Sequence, residues 1–355
     1  MQNFLFTSDI FRGSRYEKGH PLDMDRVWPS VELIRLMGWV KEDQIIKNSP
    51  ADISELIKFH DLDYVKALKK AEEDQNLPDN LKKKFNIGVD YASLTDNTDW
   101  KAKLKSSTRL IFLESPSNPL NEIADLKKIA ELSSKAGIIS VVDNCICTPA
   151  LQNPLEFGID LSLHSATKFI DGQGRSLGGI IAGNKNLIGE LKKTMRFCGF
   201  SLSPFNSWLL FKSLETLDVR MKQHSKSAKK IAEWLSKDKR VNAVYYPGLT
   251  SHPQYELAMS QQKSGGALVS FEIKDPTDES AQARAWKIID NMTLFSRTGN
   301  LGDTRSTVTH PATTTHAKVE SKTKKLAGIT DGLIRLSIGL EDYEDLILDL
   351  NEAMS

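Results

Sequence analysis

The chain has 355 residues, with 47 basic against 46 acidic side chains and a net charge of +1. That length buries a large core and allows two domains, or one large α/β domain with an appendage. The balanced charge excludes electrostatic steering to nucleic acid or an anionic membrane and leaves only local sites for small anions.

The N-terminal segment lacks the basic-then-apolar order and small-residue cleavage site of a secretory signal, and no stretch of about 18 apolar residues occurs. The cytoplasm is the expected compartment. Up to about residue 86 the pattern is helical, with apolar positions Val31, Leu33, Ile34 and Met37, then Ile53, Leu56 and Ile57, then Tyr64, Val65 and Leu68. Only Asn3 to Thr7 reads as a strand.

After residue 88 short apolar runs alternate with helical stretches, as in a largely parallel sheet with crossover helices. The runs are Arg109–Glu114, Gly137–Asp143, Asp160–His164 and Gly179–Gly183. In such sheets ligands sit beyond the carboxyl ends of the strands, which directs attention to Glu114, Asp143 and His164. A long helix is expected over Ser207–Leu235. It is followed by strands near Ala243–Tyr246, Gly266–Ile273 and Gly332–Ser337 and a closing helix over Glu341–Met354, a smaller α+β domain. Cys145, Cys147 and Cys198 are too few for a disulfide framework and are expected to be reduced and structural.

The segment from Asp160 to Gly174 puts Lys168 just after a hydroxyl-rich strand end, with a Gly-Gln-Gly turn four residues later. Lys168 is either a surface cation or a desolvated amine able to form an imine with a carbonyl cofactor. Ser165 and Thr167 fall on one side of an extended segment, so both hydroxyls can reach one phosphate. Asp143 reads as a cap or turn aspartate, or as the carboxylate that a pyridine nitrogen requires, and its spacing to Lys168 favours the second. Arg335, on its own, reads as an exposed arginine at a strand end.

From about residue 88 to 355 the chain resembles the cystathionine γ-synthase and lyase family of pyridoxal-phosphate enzymes. The likeness rests on Asp160–Gly174, on Glu114-Ser-Pro-Ser-Asn-Pro119, and on Val142-Asp-Asn144 with Thr148-Pro149 and Gln152. It continues through Asn300-Leu-Gly-Asp303, Thr309-His-Pro-Ala-Thr-Thr-Thr-His316 and Arg335-Leu-Ser-Ile-Gly-Leu-Glu-Asp342.

The resemblance implies a type I transferase fold, a mostly parallel sheet with helices on both faces, followed by the smaller C-terminal α+β domain. It implies pyridoxal 5'-phosphate bonded to Lys168, with Asp143 at the pyridine nitrogen, Ser165 and Thr167 at the phosphate, and Asn118 at the phenolic oxygen. Arg335 would clamp the substrate α-carboxylate through two parallel hydrogen bonds, and Asn300, where many relatives have serine, points to the branch that adds sulfide to an O-acylated homoserine. The implied reaction joins O-succinylhomoserine and sulfide into homocysteine and succinate, in methionine biosynthesis and transsulfuration. Succinyl and acetyl donors both remain open, as do replacement and elimination of the cystathionine γ-synthase and lyase type. A homo-oligomer, tetrameric in the family, is the implied assembly, and no metal is implied.

Residues 1 to about 88 instead resemble the start of the histone-deacetylase and acetoin-utilisation family, through Arg15–Pro21, Asp25–Val27, Phe59–Asp61 and Phe85–Gly88. That likeness stops before the paired histidines and aspartates of a zinc site, so His20 and His60 are expected to be ordinary hydrogen-bonded residues. The expected organisation is therefore a mostly helical, non-catalytic fragment over 1–88, a cofactor domain over 89–225 lacking the family's N-terminal part, and a substrate domain over 226–355. The missing part carries the glycine loop for the phosphate and the aromatic that stacks on the cofactor. A sheet without it exposes apolar edges and is expected to be poorly stable. A catalytically inactive chimera is the competing expectation.

Overall fold

The computed structural model describes residues 5–7, 45–47, 52–56, 62–63, 65–66, 69, 90–274 and 280–355. The deacetylase-like motifs, His20 and His60 lie outside the described residues. Two compact units are present, Met1–Val89 and Asp90–Ser355.

In the first unit, strands β1 (Leu5–Thr7) and β2 (Ile45–Lys47) pair in parallel, and a short helix α1 covers Ile53–Leu56.

The second unit opens with helix α2 (Asn97–Lys103), capped by Asp96, whose carboxylate accepts from the backbone N–H of Thr98 and Asp99. A four-stranded sheet follows, in the order β3 (Leu110–Glu114), β4 (Ile139–Asp143), β5 (Leu161–Ser165), β6 (Gly179–Gly183). The first three strands are parallel and β6 is antiparallel to β5, a mostly parallel sheet as expected. Helix α3 (Leu126–Ala136) makes the crossover from β3 to β4. Asp125 caps its start, Gly137 at φ 65° ends it, and Leu126, Ile129 and Ala130 form its buried stripe. Between β4 and β5 lies the single turn α4 (Thr148–Leu151). The central strand β4 is apolar and β-branched in its middle and buried there, whereas β3 is an edge strand with Leu110 and Phe112 exposed.

After β6 come helices α5 (Lys185–Cys198), α6 (Pro204–Leu214) and α7 (Leu217–Leu235). The single helix expected over Ser207–Leu235 is thus two, broken at Glu215–Thr216. At the break the Ser213 carbonyl accepts from the Thr216 N–H at 3.3 Å and from Arg220 Nη2 at 3.0 Å.

The C-terminal part is a five-stranded sheet in the order β7 (Val241–Tyr245), β8 (Leu268–Ile273), β11 (Leu333–Ser337), β10 (Thr307–Thr309), β9 (Ser296–Arg297). It is antiparallel except for the β9–β10 edge. Helices α8 (Tyr255–Gln261), α9 (Ala281–Asn291), α10 (Ser321–Leu326) and α11 (Tyr343–Ala353) complete it. Its core joins Ile231 and Leu235 of α7, Phe271 of β8, Ile288 of α9, Leu336 of β11 and Leu350 of α11. Cys145 and Cys147 are buried, Cys198 is exposed, and all three are unpaired.

Candidate active site

Glu114 and Asp143 end adjacent parallel strands in matched register, and the neighbouring strand ends at Ser165. The pleat and the common strand direction bring these three residues to one edge of the sheet. The backbone N–H of Cys145 donates to Asp143 Oδ1 at 3.0 Å. Next to it Asn144 Nδ2 donates to the Gln152 carbonyl at 2.8 Å, and Gln152 Nε2 donates to Asn144 Oδ1 at 2.9 Å and to the Ser115 carbonyl at 2.8 Å. This buried amide pair ties the loop after β4 to the loop after β3.

Beyond Ser165 the chain does not stay extended. It coils into a π-helical turn, Ala166–Ile170, within which Lys168 has a non-helical backbone at φ −87° and ψ −133°. The expectation that Ser165 and Thr167 share one side of an extended segment therefore fails, because the turn rotates Thr167. Its hydroxyl accepts from the Gly178 N–H at 3.1 Å. The turn is backed by the loop 299–303. Gly302, at φ +86°, lies so close that a Cβ there would stand 2.5 Å from the Phe169 nitrogen and 2.8 Å from the Lys168 carbonyl carbon.

Lys168 Nζ donates to Asn300 Oδ1. Burial, and then the charge of Arg335, pull the lysine amine below its ordinary range.

Arg335 lies mid-strand in β11, opposite Ser270 and Thr309, and only 1% of its surface is exposed. The reading of it as an exposed strand-end residue is corrected: all five residues of β11 are buried, since both faces of this central strand are covered. Nη1 donates to Asn118 Oδ1 at 2.9 Å and Nη2 to the Gly299 and Asn300 carbonyls at 3.0 and 3.3 Å. The buried Nε has no hydrogen-bond partner among the described residues. Burial lowers its pKa to about 10, which still leaves the guanidinium charged at neutral pH.

Glu114, named in a motif but given no role by the sequence, belongs to the same cluster. Its carboxylate accepts from the Asn118 N–H at 3.1 Å. Burial, then the neighbouring Asp143, push its pKa up to about 7, against the smaller opposing pull of the Asn118 N–H and Arg335. An acidic residue ending an apolar strand next to Asp143 was the available signal. His164, also at a strand end, is buried with Nε2 3.1 Å from Ser162 Oγ and Nδ1 without a partner among the described residues; burial lowers its pKa.

The cluster thus holds a desolvated amine, a carboxylate pair, an amide and a buried guanidinium with one orphaned N–H. That donor set fits an aldehyde cofactor with a basic ring nitrogen, and a carboxylate ligand for the arginine.

The comparisons with known proteins agree in kind. A sequence model of the family described as Cys/Met metabolism PLP-dependent enzyme matches residues 72–355, reaching back past residue 88. The chain is 48% identical over 280 residues to an O-succinylhomoserine sulfhydrylase of Pseudomonas aeruginosa, covering 79% of this chain and 68% of that protein. It is 44% identical over 261 residues to one of Mycobacterium tuberculosis, covering 73% and 64%. Among solved structures it is similar to a cystathionine gamma-lyase from Lactobacillus plantarum complexed with L-serine, with a TM-score of 0.70, 32% identity, and 74% and 68% of the two chains covered. The chain spans about two thirds of the length of the curated relatives it matches.

Proposed function

The chain belongs to the Cys/Met metabolism PLP-dependent enzyme family, and from that premise we propose that it catalyses γ-replacement on an O-acylated homoserine. O-succinylhomoserine and sulfide would give homocysteine and succinate. The observation that carries this reading is the convergence of the Lys168 amine, Asp143 and Asn118, all half-buried, with the buried Arg335 in one cluster. The similarity to two O-succinylhomoserine sulfhydrylases supports the choice of substrate.

In this reading Lys168 would hold the cofactor through its aldehyde, Asp143 would face the ring nitrogen, and Asn118 would face the phenolic oxygen. Ser165 and Thr167 would serve the phosphate. When bound, the cofactor supplies an electron sink that makes the substrate's α and β protons removable. Arg335 binds the α-carboxylate, for which its orphaned Nε offers a ready donor. Once the substrate's amino group has displaced it from the cofactor's aldehyde carbon, the freed Lys168 amine would take the α proton and then a β proton, so that succinate would leave from the γ carbon, sulfide would add there, and protons would return to the β and α carbons. Asn300 accepts from the lysine and orients it. A second reading, elimination, is favoured by the likeness to a cystathionine gamma-lyase structure. The same proposal takes the compartment as the cytoplasm and the assembly as a homo-oligomer, supported by the exposed aromatics Phe197, Phe200, Phe205, Trp208 and Phe211.

The test is direct. Purified protein mixed with pyridoxal 5'-phosphate is expected to show a shifted cofactor absorbance band that borohydride fixes onto Lys168, as read by peptide mass, and Lys168→Ala is expected to lose it. Sulfide-dependent homocysteine formation then separates replacement from elimination, which releases an oxo acid without sulfide. An identical spectrum for Lys168→Ala sinks the reading.

A further inference from the structure

The buried face of α7 is mostly apolar or small, with Leu217, Met221, Ala228 and Ile231, but two polar residues four positions apart interrupt it, Arg220 and His224. A guanidinium in such a place is costly unless its N–H groups find acceptors. Arg220 is 6% exposed, and among the described residues no carboxylate forms an ion pair with it. It is satisfied by neutral oxygens instead. Nη1 donates to the Phe169 carbonyl at 2.6 Å, Nη2 to the Ile170 and Ser213 carbonyls at 3.1 and 3.0 Å, and Nε to Thr216 Oγ1 at 3.1 Å.

Two of these acceptors belong to the turn that carries Lys168. The turn's own amide bonds run from Asp171 to the Ala166 carbonyl and from Gly172 to the Lys168 carbonyl. The Phe169 and Ile170 carbonyls are the ends it leaves over, and Arg220 takes both. Gly172 makes the room, since a Cβ there would stand 2.2 Å from Nη1.

One turn further along α7, His224 meets Phe169 edge-on, ring centroids 5.6 Å apart, and turns Nδ1 to the Ile338 and Gly339 carbonyls at 2.8 and 3.1 Å. Both partners are acceptors, so the ring proton sits on Nδ1. Those carbonyls lie just past the end of β11, the strand of Arg335. One face of one helix therefore grips the lysine turn and the end of the arginine strand.

We propose that Arg220 and His224 are paired positioning residues that hold the Lys168 amine and the Arg335 guanidinium in one fixed frame. The proposal rests on the reading of Lys168 and Arg335 given above. Its physical basis is that an error of about 1 Å between reacting groups costs on the order of a hundred-fold in rate. The other possibility is that the two side chains only satisfy buried carbonyls.

The test uses the full chain with Arg220→Lys, Arg220→Met, His224→Asn and His224→Gln. Hydrogen exchange on the cofactor-free protein reads the frame directly. In both Arg220 variants the peptide covering 166–174 is expected to exchange about ten-fold faster or more, while β8 and α9 keep wild-type rates. His224→Gln is expected to loosen 338–340, and His224→Asn, whose amide nitrogen takes the place of Nδ1, to restore it. In the loaded enzyme Arg220→Lys is expected to weaken the circular dichroism of the cofactor band and to lower kcat about ten-fold or more, with KM nearly unchanged.

Unchanged exchange at 166–174 in Arg220→Lys overturns the proposal, and so does acceleration spread evenly through β8 and α9. Should Arg220→Met fail to fold, Arg220→Lys decides alone. If the wild type binds no cofactor at Lys168, the functional reading falls, and the exchange data still decide whether the frame exists.

Discussion

Arg335 commits Nη1 and Nη2 to Asn118 and to two carbonyls of the loop that holds Asn300, and its Nε has no partner among the described residues. A lysine cannot reproduce that fork. Arg335→Lys is expected to raise KM for O-succinylhomoserine at least ten-fold, about 1.4 kcal/mol, while the cofactor band at Lys168 persists; steady-state kinetics and absorbance check it. Glu114 offers a second test at this scale. In the folded chain it keeps its proton up to about pH 7, against an ordinary value of 4.5. Below about pH 4.5 both folded and unfolded forms are protonated and the group is neutral to stability. Between the two values the unfolded chain sheds a proton that the folded chain retains, so stability falls as pH rises, and above pH 7 the full loss is present. Glu114→Gln removes this titration. It is expected to match the wild type near pH 4 and to exceed it at pH 8 by up to roughly 3 kcal/mol in denaturant unfolding. The motifs singled out Lys168, Asp143 and Arg335, which the structure brings into one candidate cluster. The burial of Arg335 was not, because one arginine inside Leu-Ile-Arg-Leu-Ser looks the same on an edge strand as on a central one. Arg220 left a fainter trace, a charge on the apolar face of a helical pattern, with no hint of which carbonyls it meets.

Among the elements, the π-turn at Ala166–Ile170 depends on a neighbour that approaches closer than any side chain allows. At Gly302 an added methyl would meet backbone atoms of Phe169 and Lys168, which cannot swing aside, and φ is +86° besides. Gly302→Ala is expected to cost at least about 2 kcal/mol in denaturant unfolding and to abolish cofactor binding at Lys168. Gly137→Ala, where a Cβ has open space, is expected to cost only the positive-φ strain of about 1 kcal/mol and to leave binding intact. Strand positions were readable because β4 and β11 are short apolar runs bounded by turn residues. Direction was not: Gly-Ile-Ile-Ala-Gly of β6 has the same pattern whether it runs with β5 or against it. The break between α6 and α7 escaped for a similar reason. Leu214 and Leu217 keep the apolar spacing across it, and the Thr216 and Arg220 donors that meet the Ser213 carbonyl at the break carry no such pattern.

Over the whole of Asp90–Ser355, apolar surface is unevenly distributed. Phe197, Phe200, Phe205, Trp208 and Phe211 are all more than half exposed along α5, α6 and the segment between them. Solvated helices rarely show five such rings within fifteen residues. Trp208→Lys combined with Phe211→Lys is expected to lower the association state seen in sedimentation velocity, with unfolding free energy of the dissociated chain changed by no more than about 0.5 kcal/mol. Unchanged sedimentation counts against these rings as the contact. The apolar edge foreseen from the sequence has a counterpart in Leu110 and Phe112 of β3.

The loop that bears Asn118 starts at the end of β3 yet is anchored in the other sheet. Asn121 Nδ2 donates to the Tyr245 and Leu268 carbonyls at 3.0 and 3.1 Å, and Ser270 Oγ to the Pro119 carbonyl at 2.6 Å. Neither sheet owns the pocket wall between them. Recombination that trades one sheet for a relative's must therefore keep the backbone at 245 and 268 within reach of Asn121, so the two sheets have to be inherited together.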